Sequence, residues 1–224
     1  FYLGEIATTR RTPSGFPWSS ALVERTLLEV GGTLATVETA LETGLALNSA
    51  GGTHHAYADR ASGYCLLNDL AVAAHDLLAE HRLERILIVD CDVHQGDGTA
   101  WIFRHEPRVF TFSIHGEANF PFEKVQSDRD VALPRGSGDD AYLRCLAREL
   151  DPILSDFRPQ FVLFDAGADV HAGDRLGHFS LSTEGLFRRD RFVLARCRDL
   201  GIPVAAVIGG GYDRDLEALA DRHA

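Results

Sequence analysis

The sequence predicts an α/β fold in which helices cover both faces of a mainly parallel sheet, a three-layer α/β/α arrangement. Three observations predict it. Four short β-branched runs have the character of buried strands: RILIVDCDV (85–93), RVFTFSIH (108–115), QFVLFDAG (160–167) and IPVAAVIGG (202–210). Helical candidates lie between them at about 97–105, 139–155 and 183–200. Strands alternating with helices pair in parallel through crossovers. Finally, each run ends in polar or glycine residues: ILIVD enters CDVHQGDG, FVLFD enters AGADVHAGD, VAAVI enters GGGYD, and VFTFS enters IHGE. Ligands of open α/β sheets bind outside such carboxyl ends.

Ahead of these runs, ALVERTLLEVGGTLATVETALETGLALN (21–48) carries apolar residues at helical spacing, with Gly31, Gly32 and Gly44 marking breaks or close packing. Asn68 and Asp69 are positioned to begin a helix through LAVAAHDLLAEHRL. At 224 residues the chain can bury one sizeable core. It shows no repeat, low-complexity tract or linker, so residues 1–224 read as a single domain. The chain opens at Phe1 and contains no methionine, from which a missing N-terminal part is expected.

A net charge of −11 argues against a broad basic surface for nucleic acid. No apolar run of about 18 residues and no signal peptide occur, so neither a membrane span nor export is expected, and a cytoplasmic location is. Cys65, Cys91, Cys145 and Cys197 are far apart and form no CxxC pair. They read as reduced thiols in or near the core rather than as a zinc cluster or disulfide framework. The sequence assigns no oligomeric state.

The chemistry gathers at the strand ends. In IVDCDVHQGDG, Asp90, Asp92 and His94 share parity and point one way while the chain stays extended. Asp92-x-His94 offers a hard oxygen and a borderline nitrogen, a pair suited to zinc or ferrous iron. Asp169, on AGADVHAGD, is the best third ligand, which leaves a position open for water and substrate. His171 is its rival, because Asp169-x-His171 repeats the same spacing. Two adjacent histidines, His54 and His55, follow Gly51 and Gly52 in GGTHHA, a loop with neither helix nor strand character. They fit the general base and acid that attack of an activated water on a carbonyl requires. Each needs an orienting carboxylate, and Asp90 and Asp97 are spare acids near the ligands. In GGGYD (209–213), Tyr212 can offer a phenol to an oxyanion.

GGTHHA, GYCLLND, VDCDVHQGDGT, GADVHAGDRLG and GGGYD together resemble the zinc-dependent histone deacetylase family, within the arginase-like deacetylase superfamily. With GFPWS and HGEANFPFEK, the pattern looks closest to bacterial members related to class IV. The resemblance runs from about Gly15 to the C-terminus, and the family carries a first strand and helices before that segment.

It implies zinc on Asp92, His94 and Asp169, His54 paired with Asp90, His55 paired with Asp97, and Tyr212 polarising the acyl oxygen. Tyr64, with Gly63 beside it, matches the family's tunnel aromatic, and Gly210 lies near the same tunnel. A structural potassium ion is implied on Asp90, Asp92 and Ser113 with the carbonyls of His94 and Ile114. Two residues depart from the commonest pattern: Gln95 replaces a second histidine, and Tyr64 replaces phenylalanine and adds a hydroxyl to the tunnel wall.

The expected activity is amide hydrolysis that removes acetyl or longer acyl groups from lysine side chains. The alternatives are an acetylpolyamine or other small acylated amine as substrate, and an inactive acyl-lysine-binding module. Arginase-type chemistry is disfavoured, because it needs two manganese ions and more bridging aspartates.

Overall fold

A computed structural model describes residues 14–223. Among these residues six strands form one sheet: β1 (Leu45–Asn48), β2 (Ile86–Asp90), β3 (Val109–Gly116), β4 (Arg129–Leu133), β5 (Phe161–Asp165) and β6 (Val204–Val207). Their order is β1-β6-β5-β2-β3-β4, and every pairing is parallel. The helices are α1 (Ser20–Thr43), α2 (Asp69–Ala79), α3 (Asp97–Phe103), α4 (Asp139–Phe157), α5 (Thr183–Asp199) and α6 (Leu216–His223).

Strand alternation divides the apolar residues between two cores. Leu87, Val89, Phe112, Ile114, Val162 and Phe164 pack with Leu146, Leu150 and Val193 from α4 and α5. Ile86, Ile88, Val109, Phe161 and Leu163 pack on the other face with Val37, Leu70 and Leu77 from α1 and α2. Strands buried on both faces need no polar alternation, which is why these runs are almost wholly apolar. The expected α/β/α layering is therefore the one observed.

Local chemistry sets the boundaries. Ser19, Asn68 and Ser182 cap α1, α2 and α5 by accepting the N–H groups of Leu22, Ala71 and Gly185. The segment 21–48 is not continuously helical. Gly44 takes a left-handed conformation, its N–H closes on the Ala40 carbonyl, and LALN then leaves as β1 to pair with β6. Strand β4 and helix α6 were not expected: β4 is a short edge strand with charged residues, and α6 buries none of its residues.

Candidate active site

Asp90 and Asp165 end two neighbouring strands in register, and Ser113 lies opposite Asp90 on its other side. The chain stops being extended at Asp90, so strand alternation does not align Asp90, Asp92 and His94 as expected. A turn does so instead. The Asp92 N–H donates to Asp90 Oδ1 at 3.1 Å, and the His94 N–H donates to Asp92 Oδ1 at 2.8 Å.

This turn meets the loop after β5. His94 Nδ1 lies 2.9 Å from Asp92 Oδ1 and 3.0 Å from Asp169 Oδ2, and all three side chains are buried. Asp169 Oδ1 accepts from the Val93 N–H, and Asp92 Oδ2 accepts from the Gly210 N–H. Among the described residues, Asp169 Oδ2 has no assigned hydrogen bond. Burial works against a charged His94, yet Asp169 and Asp92 raise it to about 10. One atom from each of these three side chains converges on a single point, an arrangement able to hold a cation. His171 stands apart: its Nδ1 accepts from Gly173, and its Nε2 lies 3.4 Å from Thr183 Oγ1.

The histidine loop folds over this cluster. Gly51 and Gly52 both have φ +88°, a conformation open to glycine, and the Gly52 backbone passes against Gly209. His54 Nδ1 lies 2.8 Å from Asp90 Oδ2, and His55 Nδ1 lies 2.6 Å from Asp97 Oδ1. The Tyr57 hydroxyl donates to the second oxygen of Asp97 at 2.8 Å. The two imidazole centroids are 4.1 Å apart. Burial alone would depress both. For His54 the carboxylates of Asp90, Asp92 and Asp165 outweigh burial and hold it well above its ordinary value. For His55 burial wins, helped by the His54 cation, and it falls to about 4 despite Asp97. Two adjacent groups pushed in opposite directions form an acid–base arrangement.

A cavity of about 510 Å³ opens over the pair and is lined by His54, His55, Gly63, Tyr64, Asp92 and Tyr212, among others. Gly210 also lines it. The Tyr212 ring lies 6.1 Å from His94 and 6.3 Å from Tyr64. Burial, together with Asp92 and Asp169, raises the Tyr212 phenol far above its usual value, so it stays a donor. All five residues expected to be catalytic and the three expected ligands therefore meet at one place.

A histone deacetylase domain model matches residues 5–223. The chain belongs to the histone deacetylase family. As a member it adopts the fold of its relatives. The solved structure of an HDAC homolog from Aquifex aeolicus superposes with a TM-score of 0.81 at 30% identity, covering 92% of this chain and 58% of that one. An HDAC homolog complexed with SAHA gives 0.78 at 31% identity, covering 88% and 55%.

Among proteins, an uncharacterized protein of Picosynechococcus sp. is 54% identical over 220 residues, which are 98% of this chain and 73% of that protein. Histone deacetylase 2 of Arabidopsis thaliana is 33% identical, covering 82% of this chain and 48% of the plant protein. Acetoin utilization protein AcuC of Staphylococcus aureus is 35% identical, covering 82% and 51%. The chain thus spans about half the length of the latter two relatives.

Sequence reasoning missed four residues here. Asp165 is fully buried, its two oxygens have no hydrogen bond among the described residues, and Nδ1 of His54 is 3.8 Å away. Burial, then Asp90, raises its carboxyl well above the usual range. The signal was available, since FVLFD ends on an acid as ILIVD does. Phe120 packs edge-on against His55 at 4.8 Å, which no local pattern announces. The sequence marks Asn68 and Asp69 only as a helix start. Asn68 also donates to the carbonyls of His54 and Ala56, and Asp69 accepts from Gly52 and Thr53, so the pair shapes the histidine loop.

Proposed function

We propose that residues 1–224 form a single deacylase domain that hydrolyses acyl amides, with acyl-lysine side chains as the substrate class. One observation carries this reading. Three converging candidate ligand atoms and two buried histidines, each held by its own carboxylate, lie at one cavity that His54, His55, Asp92 and Tyr212 line.

The donor set fits zinc: two carboxylates and one imidazole, with the orphaned Asp169 Oδ2 facing the His94 nitrogen. When bound, such an ion supplies Lewis acidity toward water and a carbonyl oxygen. Asp92, His94 and Asp169 would hold it. A potassium ion on Asp90, Asp92, Ser113 and the carbonyls of His94 and Ile114 is part of the same proposal, supported by the register that sets Ser113 opposite Asp90.

The chain's own residues divide the remaining work. Asp97 fixes the Nδ1 proton of His55, which leaves Nε2 free to accept a proton from the attacking water. His54, held by Asp90, stays cationic and stabilises negative charge. Tyr212 donates a hydrogen bond to the developing oxyanion. His55 then returns its proton to the departing amine, so the amide becomes a free amine and a carboxylic acid. Tyr64 and Gly63 line the path of the acyl-bearing chain.

The test is turnover of acetyl-lysine and long-chain acyl-lysine peptides, and of acetylated polyamines, by the full chain and by His55→Ala. Zinc content is measured on each sample. Turnover lost in the variant with zinc retained supports the reading. Equal turnover in both proteins rejects the role of His55, and a preference for the polyamines replaces lysine as the substrate.

A further inference from the structure

Gln95 follows the candidate ligand His94 and is 1% exposed. Its amide pairs with both backbone groups of a single residue. Oε1 accepts from the Val125 N–H at 3.0 Å, and Nε2 donates to the Val125 carbonyl at 2.6 Å. Nε2 also donates to Asp130 Oδ1 at 2.8 Å, and Asp130 Oδ2 accepts from the Ser127 N–H.

Val125 lies in the connection between β3 and β4, where residues 117–128 form neither helix nor strand. Backbone groups of such a segment need partners outside a ladder, and Gln95 stands in for a neighbouring strand. The other end of the connection is anchored by Asn119, whose Nδ2 donates to the carbonyls of Leu176 and Gly177 at 2.9 and 3.0 Å. Lys124 Nζ braces the middle on the carbonyls of Asn119 and Pro121.

Phe120 sits between these anchors. Its ring is 4.8 Å from His55 and 6.5 Å from His94, and it is only half-buried. It therefore sets an apolar face beside the imidazoles of His55 and His94.

We infer that Gln95 is a positioning residue that selects the acyl group, by fixing the Val125 segment and with it the placement of Phe120 beside His55. The inference rests on the deacylase reading. Because Gln95 is joined to His94 by one peptide bond, it places Phe120 relative to the metal ligands rather than to the fold at large. An ordinary scaffold residue would scale all substrates alike; a residue that sets this contact changes their ranking.

The decisive variant is Gln95→Glu, nearly identical in shape. It keeps the acceptor for Val125 N–H, loses both donated bonds and opposes Asp130. Adding Asp130→Asn returns a donor facing the introduced carboxylate and restores one bond. In the full, zinc-loaded chain, Q95E shifts the kcat/KM ratio of long-chain to acetyl-lysine peptides by about tenfold, chiefly through KM, the scale of one hydrogen bond. Zinc content stays unchanged, and Q95E/D130N recovers most of the ratio. A uniform change for all acyl lengths, or an unchanged ratio, overturns the inference.

Hydrogen exchange supplies a readout that needs no turnover. In Q95E the amides of residues 117–126 exchange faster, while those of β2 and β3 keep their protection. Unchanged exchange in that segment also overturns the inference. A wild-type chain that hydrolyses none of these peptides refutes the deacylase reading instead, and the exchange result then decides the anchoring role of Gln95 alone.

Discussion

Replacing Asn68 by alanine removes a side chain that ties the start of α2 to the histidine loop. Its Oδ1 accepts from Ala71 N–H at 2.9 Å, and its Nδ2 donates to the His54 carbonyl, the Ala56 carbonyl and Thr99 Oγ1 at 3.2, 3.0 and 3.0 Å. Loss of the helix cap costs about 1 kcal/mol. The His54 carbonyl keeps a second donor, Thr99 N–H at 3.0 Å. The Ala56 carbonyl, in a residue with no exposure, loses its bond to Asn68, and an unsatisfied buried acceptor costs about 1–3 kcal/mol. Together these give a loss of about 2–4 kcal/mol and a fall in Tm of roughly 5–15 °C for a chain of this size.

Urea unfolding with a chelator present measures this without a contribution from bound metal. A loss below about 0.5 kcal/mol would refute the reasoning, since neither the cap nor the donated bonds could then matter. Asn68→Asp separates the two parts. It keeps the cap oxygen but turns a carboxylate toward two carbonyls, so it should be no more stable than Asn68→Ala. Full stability in Asn68→Asp would mean that the donated bonds carry nothing.

Asp169→Asn removes one charged atom of the proposed ligand set, and zinc affinity should fall by at least about 100-fold in competition with a chromophoric chelator. Gly210→Ala should also lose zinc, because a Cβ there would overlap Oδ2 of both Asp92 and Asp169; dialysed protein with full zinc content would contradict this. Stability should also fall in acid through His115, which burial, with Lys124 adding to it, lowers to about 4. The unfolded chain takes up that proton nearer pH 6.5, so the contribution is complete above about pH 6.5 and is lost as pH falls toward 4, on the order of 3 kcal/mol in all. Urea midpoints between pH 7.5 and 4.5 should slope less in His115→Asn than in the wild type, and parallel slopes would rule His115 out.

Much of this was legible in the sequence because the informative residues are local. Strands buried on both faces announce themselves as apolar runs, and the proposed ligands at their ends sit two residues apart in Asp92-x-His94. Gly51 and Gly52 ahead of the histidines predict a loop, and the structure gives one in which both have φ +88°. What stayed hidden depends on pairing across the chain. Strand β1 looked like the tail of a helix because LALN becomes a strand only when β6 lies beside it. Asp165 looked like one more strand-end acid until the register placed it next to Asp90 and under His54. Gln95 reads as a substitution in a motif, and its role depends on Val125, thirty residues away.

The most direct measurement is hydrolysis of an acetyl-lysine peptide by the full chain after chelation and stepwise return of zinc, with Tyr212→Phe carried alongside. Activity should vanish on chelation and return in proportion to zinc, reaching its plateau at one ion per chain. Tyr212→Phe should bind the same zinc and turn over on the order of 10²–10³ more slowly, the usual cost of one oxyanion donor. Turnover that survives chelation, or a Tyr212→Phe chain as fast as the wild type, would contradict a metal-assisted deacylase built on this cavity.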